Sequence, residues 1–299
     1  MLQTFDERNR DLIVNVGGRL AHRDQAAVSP FDSVVQGGDA VWEGLRLYQG
    51  KIFRLEEHLA RLRRSAQALA FEQIPSDAEI IEQLRRTLAA NSMTDNVHIR
   101  LTLTRGVKIT SGMDPRLNQS GPTLIILPEH KPPVYDTSGI TLITASMRRT
   151  PPDSLDPKIH HNNLLTSILA KIEANVAGAD DAIMLDQRGF VAETNATHVF
   201  LVAAGVLGTS TTAACPEGIT RQAVLNLAAE AGIECAVGDY SLTQLYSADE
   251  VFVTGTMGGL VPVLAIDGRR ISEGQPGPVT RLLTKLFAEL TATSGTPVG

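Results

Sequence analysis

The chain has 299 residues, with 27 lysines and arginines against 33 aspartates and glutamates, a formal net charge of −6 and 43% hydrophobic residues. That length suits two domains or one large one, with ample apolar material for a core. The mild acidity argues against nucleic acid or an anionic membrane as the main partner. Cys215 and Cys235 make neither a disulfide framework nor a zinc-ligand spacing, which points to a reduced, cytosolic protein. The N-terminal residues lack the apolar region of a secretory signal. The longest apolar run, Val199 to Leu207, falls far short of the roughly 20 residues a membrane span needs. It reads as a buried strand and its turn.

In chain order, Ile13 to Leu20 predicts a hairpin turning at Gly17-Gly18. Val41 to Tyr48 alternates as a strand and turns at Gln49-Gly50 into Lys51 to Arg54. A helix from about Glu56 to Ala70 follows, with Leu59, Leu62, Ala66 and Leu69 as one stripe. Arg61, Arg63 and Arg64 flank that stripe, and one of them can turn inward onto an anion. Pro75-Ser76-Asp77 opens a second helix, with Ser76 or Asp77 as its cap. Val97 to Thr104 alternates, placing His98, Arg100 and Thr102 on one face and Ile99, Leu101 and Leu103 on the other. Thr123 to Leu127 is a further strand. The proline-rich stretch through Pro132-Pro133 is the best candidate for a domain boundary. It divides the chain into residues 1–131, a linker 132–138 and residues 139–299.

Ile140 to Ala145 is a strand, and a loop through Pro151-Pro152 leads to Lys158. Lys158 stands just after a proline and just before an apolar helical pattern, the setting a Schiff-base lysine needs. A single lysine is usually only a solvated charge, so its neighbours must make the case. Leu164, Leu165, Ile168, Leu169 and Ile172 form a helix face that ends near Gly178. Strands follow at Asp181 to Leu185, Phe190 to Thr194 and Val199 to Val202. Glu193 taken alone is an ordinary strand-end carboxylate. Pro216-Glu217-Gly218 leads into a helix whose first N–H groups, at Ile219 and Thr220, can receive an anion. The strand Glu250 to Thr254 ends in the small-residue turn Gly255-Thr256-Met257-Gly258-Gly259, which also suits a phosphate or carboxylate. A last helix, Gly277 to Leu290, precedes a small-residue tail expected to be disordered.

One lysine, one carboxylate, a helix-borne arginine and two backbone anion cups are the parts that hold pyridoxal phosphate. With these segments the chain resembles the class IV aminotransferases, the fold-type-IV pyridoxal-phosphate enzymes, over roughly residues 12 to 285. The segments that carry the resemblance are the one around Lys158, Val191 to Asn195, Glu217 to Arg221 and Ala248 to Thr256. The resemblance implies an α/β fold of mixed sheets. It makes the first domain the smaller and the second the cofactor domain, with pyridoxal 5′-phosphate in the cleft between them. By the same likeness Lys158 is the catalytic Schiff-base lysine and Glu193 the carboxylate on the pyridine nitrogen. Arg61 is the phosphate arginine, and Ile219, Thr220 and Thr256 are the phosphate cups. The implied reaction is ping-pong transamination between an amino acid and a 2-oxo acid such as 2-oxoglutarate, by a homodimer.

Glu43-Gly44-Leu45-Arg46 resembles the corresponding segment of the branched-chain enzymes, and Arg100 matches their arginine beside the substrate carboxylate. The substrate residues implied are Arg46, His98, Arg100, Asn163 and Met257. Departures stand beside these: Asn163 and His98 occupy positions where tyrosines are usual, and His160-His161 replaces small residues. They make the pocket more polar and leave open a transaminase for D-amino acids or (R)-amines, or a lyase such as aminodeoxychorismate lyase. The paired histidines point apart at a helix start, so no metal site is expected there. Trp42 reads as core or pocket wall.

Overall fold

A computed structural model describes residues 3–298, which divide into two compact units. One comprises residues 3–132, 159–163 and the chain from Thr291; the other comprises residues 133–158 and 164–290. The chain therefore returns twice to its first unit, which a single boundary at 132–138 does not anticipate.

The first unit opens with the expected hairpin, β1 (Ile13–Val16) and β2 (Arg19–His22). Gly17 and Gly18 both take positive φ, 59° and 83°, which the two-residue turn demands. Then come α1 (Ser33–Gly37), β3 (Ala40–Tyr48), β4 (Lys51–Ile52), α2 (Leu55–Ala68), α3 (Asp77–Ala90), β5 (Val97–Thr104) and β6 (Thr123–His130). The sheet runs β4-β3-β5-β6-β1-β2 with antiparallel neighbours. Ser76 caps α3 in a reciprocal box with Glu79.

Strand alternation gives this sheet two unlike faces. Leu45, Leu47, Ile99 and Leu101 are fully buried and pack with Leu59, Leu62, Leu84 and Leu88 of the two helices. Each such side chain contributes about 1.5–3 kcal/mol. The opposite face is polar. Trp42, Gly44 and Arg46 there lie across from Thr102, Arg100 and His98, the division of β5 that its alternation predicts.

The second unit contains β7 (Ile140–Arg148), α4 (Leu165–Val176), β8 (Asp181–Leu185), β9 (Val191–Thr194), β10 (His198–Ala203), β11 (Val206–Ser210) and α5 (Ile219–Glu230). It continues with β12 (Cys235–Gly238), α6 (Leu242–Tyr246), β13 (Glu250–Gly255), β14 (Gly259–Ile266), β15 (Arg269–Arg270) and α7 (Pro278–Thr293). The sheet order is β12-β11-β10-β13-β14-β7-β8-β9, with β15 beside β14. Four strands lie between β10 and β9, about 24 Å if the sheet were flat. Yet only Asn195, Ala196 and Thr197 join them, a reach of at most about 14 Å. The sheet must curl, and the curl brings β9 back beside β10.

Two expectations are corrected. The apolar face of α4 exists but is exposed: Leu165 is 72% and Val176 85% accessible, with Ile168, Leu169 and Ile172 between them. The helix instead sets Ala170 and Ala174 against Ala145, Ala182 and Met184, because small residues let its backbone approach the sheet closely. The C-terminal tail is not disordered through its described residues. The last strand, β16 (Thr296–Pro297), pairs with β4, and Val298 is buried in the first core.

Candidate active site

In the second unit Lys158 is exposed at the end of a turn, its N–H donating to Asp156 Oδ1 at 2.9 Å. Glu193 is buried on β9. It is not the exposed strand-end carboxylate its local sequence allows, because Arg149, just past β7, places Nη2 2.9 Å from its Oε1. Arg149 also donates Nε to Ala214 O and Nη1 to Ser167 Oγ, which ties β9, α4 and the loop before α5 into one cluster. The Cys215 thiol lies within electrostatic reach of Glu193, Arg221, Arg149 and Lys158. Both cysteines are free thiols.

Glu193, His198 and Cys215 bring one ligand atom each to within 4.8 Å of one another. Burial pushes the Cys215 thiol well above its ordinary range and Glu193 adds to the shift. The Arg149 guanidinium occupies the carboxylate. A protonated thiol and a cation already on the carboxylate both oppose a metal there.

The two segments read as anion cups lie at the start of α5 and in the turn between β13 and β14. Gly218 is the N-cap of α5, and no side chain caps this helix end. A Cβ on Gly218 would sit 2.2 Å from His198 Nε2, so only glycine allows this close approach. Arg221 donates to Ser210 O, while its Nε is buried with no partner. Thr256 and Met257 lie in the turn between β13 and β14, next to the buried, unpartnered hydroxyl of Thr254. These donors suit a phosphate group.

In the first unit Arg61 does turn inward. Its Nε donates to Glu43 Oε1 at 2.8 Å and its Nη2 to Oε2 at 2.6 Å, while His58 Nδ1 lies 2.6 Å from Oε2. Burial alone would raise the Glu43 carboxyl, but Arg61 and His160 overcome it and hold the group well below the carboxylate range. Both carboxylate oxygens fix the planar guanidinium, a fork that an ammonium group cannot make.

On the polar face, Arg100 lies 3.5 Å over the Trp42 ring and donates to Asn162 Oδ1 at 3.3 Å. Burial lowers its pKa to about 10. Arg46 is buried and donates to Lys131 O at 2.8 Å. Burial, with Lys131, Arg46 and Arg100 nearby, lowers His98 to about 3, and its Nδ1 has no partner. Asn163 is exposed, its Nδ2 donating to Gly38 O at 3.3 Å. Arg46, His98 and Arg100 thus gather on one face, while Arg61 lies on the other with Glu43. Sequence reasoning missed Arg149 altogether, and it named Glu43 only as part of a segment. No local pattern flags an arginine whose partner is 44 residues away. An isolated glutamate amid apolar strand residues could have pointed to a buried pair.

The curled sheet, the buried carboxylate in the unit that holds the lysine and the open helix start define a class IV aminotransferase scaffold. The model of the class IV amino-transferase family matches residues 40–266, and the chain belongs to that family. It is 55% identical over 97% of its length to branched-chain-amino-acid aminotransferase-like protein 2 of Arabidopsis thaliana. It spans only 52% of that protein, about half the length of the two Arabidopsis relatives it matches. A putative branched-chain-amino-acid aminotransferase of Methanocaldococcus jannaschii is 41% identical over 93% of this chain and 96% of its own. Among solved structures, the T.th. branched-chain amino acid aminotransferase complexed with N-(5′-phosphopyridoxyl)-L-glutamate superposes with a TM-score of 0.88. It is 32% identical over 94% of each chain. Among the described residues no helix is long and apolar enough to cross a membrane.

Proposed function

We propose that this chain is a pyridoxal-phosphate-dependent transaminase of branched-chain type, moving an amino group from a hydrophobic L-amino acid to a 2-oxo acid such as 2-oxoglutarate. The observation that carries the reading is the buried Glu193–Arg149 pair in the unit that holds Lys158. A buried carboxylate paired with a guanidinium can accept the proton-bearing nitrogen of a pyridine ring. The phosphopyridoxyl-glutamate bound to the T.th. relative supports the same cofactor here.

Pyridoxal phosphate, when bound, supplies the electrophilic carbon and the electron sink. Lys158 provides the anchoring amine and moves the Cα proton. Glu193 holds the proton on the pyridine nitrogen. Arg61, the Ile219 and Thr220 N–H groups and Thr256 bind the phosphate. Arg46, His98, Arg100, Asn163 and Met257 bind and orient the substrate, with Arg100 on a carboxylate. The exposed apolar stripe of α4 supports a homodimer, since an amphipathic face of this size needs a partner.

The test is the visible spectrum of the purified protein with pyridoxal phosphate, followed as L-leucine, D-alanine and (R)-1-phenylethylamine are added in turn. Loss of the cofactor band with L-leucine alone is the expected result. Bleaching by D-alanine or the amine instead overturns the branched-chain assignment. A Lys158→Ala protein that still traps the cofactor on borohydride reduction at the same site overturns the role of Lys158.

A further inference from the structure

Resting on the reading of Arg61 and Arg100 as the phosphate and carboxylate arginines, we infer that His160 is a positioning residue that holds both. One ring nitrogen acts on the Glu43–Arg61 pair and the ring face acts on the Trp42–Arg100 stack. His160 stands two residues after Lys158, in the segment Ile159–Asn163 that belongs to the first unit.

That segment is pinned along β3. Trp42 N–H donates to His160 O at 2.9 Å and Asn162 N–H to Ala40 O at 3.0 Å. The Trp42 indole N–H donates to His161 O at 3.1 Å, and His160 N–H reaches Ser65 Oγ on α2 at 3.0 Å. The imidazole is equally constrained. Its Nδ1 lies 2.5 Å from Trp42 O and 3.5 Å from Glu43 Oε1. A carbonyl only accepts, so Nδ1 carries the proton and the tautomer is fixed. Burial, reinforced by Arg61, keeps the ring below its ordinary pKa against the pull of Glu43. The Nδ1–H beside Oε1 helps fix the carboxylate on which Arg61 Nε also rests.

The ring does a second job. It stacks on Trp42 with centroids 4.3 Å apart, while the Arg100 guanidinium lies 3.5 Å from a ring centre of the same indole. His160 therefore packs on the indole on which Arg100 rests and helps hold it in place.

The two jobs separate by substitution. Asparagine places an amide N–H where Nδ1 was but has no ring. Phenylalanine keeps the ring and loses the donor. Pyridoxal phosphate affinity is read on the apo protein by quenching of Trp42, the chain's single tryptophan. The KM for 2-oxoglutarate is read against kcat. His160→Phe is expected to weaken cofactor binding about tenfold and His160→Asn by less than about threefold. His160→Asn is expected to raise the KM about tenfold, with His160→Phe staying near wild type. His160→Gly should lose both. His160→Phe or His160→Asn proteins that shift both quantities together, or neither, overturn the inference. A wild-type protein that binds no pyridoxal phosphate, or an Arg61→Ala protein that binds it as tightly as wild type, removes the function reading itself and this inference with it.

Discussion

Arg149 Nη2 lies 2.9 Å from Glu193 Oε1, joining the chain just after β7 to the middle of β9. The pair is only slightly exposed on either side, so neither charge is well hydrated. Removing one partner of such a pair costs about 3–5 kcal/mol, because it strands the other. Arg149→Ala is expected to lower unfolding free energy by about that amount in urea. It should also lower kcat more than tenfold, with Arg149→Lys recovering part of both. An Arg149→Ala protein as stable and active as wild type would show that the pair does not support the carboxylate.

His98 gives a pH prediction. Its folded pKa, about 3, is depressed from the ordinary 6.5 because burial and three neighbouring cations disfavour the imidazolium. The unfolded state therefore binds the proton first as pH falls. The neutral ring's contribution to stability is whole above pH 6.5 and is lost between 6.5 and 3, by up to about 1.4 kcal/mol per pH unit. Urea midpoints of wild type should fall from pH 7 to pH 5 more steeply than those of His98→Gln. Equal slopes would show that His98 is hydrated and titrates normally.

The exposed face of α4 predicts an assembly that one charge disrupts. Ile172 lies half exposed in the middle of the stripe. Ile172→Asp is expected to shift the protein from dimer to monomer in sedimentation equilibrium while leaving circular dichroism unchanged. A wild-type chain that sediments as a monomer at micromolar concentration contradicts the proposed dimer.

Glu250 predicts a purely structural effect. Its carboxylate accepts from Val279 N–H, Thr280 N–H and the Thr280 hydroxyl, which caps α7 from the start of β13. Gly277 must stay glycine, since a Cβ there would lie 2.0 Å from Glu250 Cδ. Glu250→Ala removes the cap and should cost about 2 kcal/mol, a Tm decrease of several degrees by calorimetry. An unchanged Tm would mean that water replaces the carboxylate at no cost.

The sequence by itself determined many of the strands and helices and which polar residues they carry. Alternation in β5 placed His98 and Arg100 on one face, and Gly17-Gly18 and the pair Ser76-Asp77 marked their turn and cap, because those signals depend on residues next to one another. Tertiary structure alone decided which charges meet. Arg149 reaches Glu193, Arg61 reaches Glu43 and His160 reaches Trp42 across 44, 18 and 118 residues, and no local period encodes such pairings. It also decided that α4 turns its alanines inward and leaves its large residues exposed, and that the tail returns to β4. Both outcomes depend on how closely backbones can approach, a property of the packed sheet and helix together that a residue's own hydrophobicity does not contain.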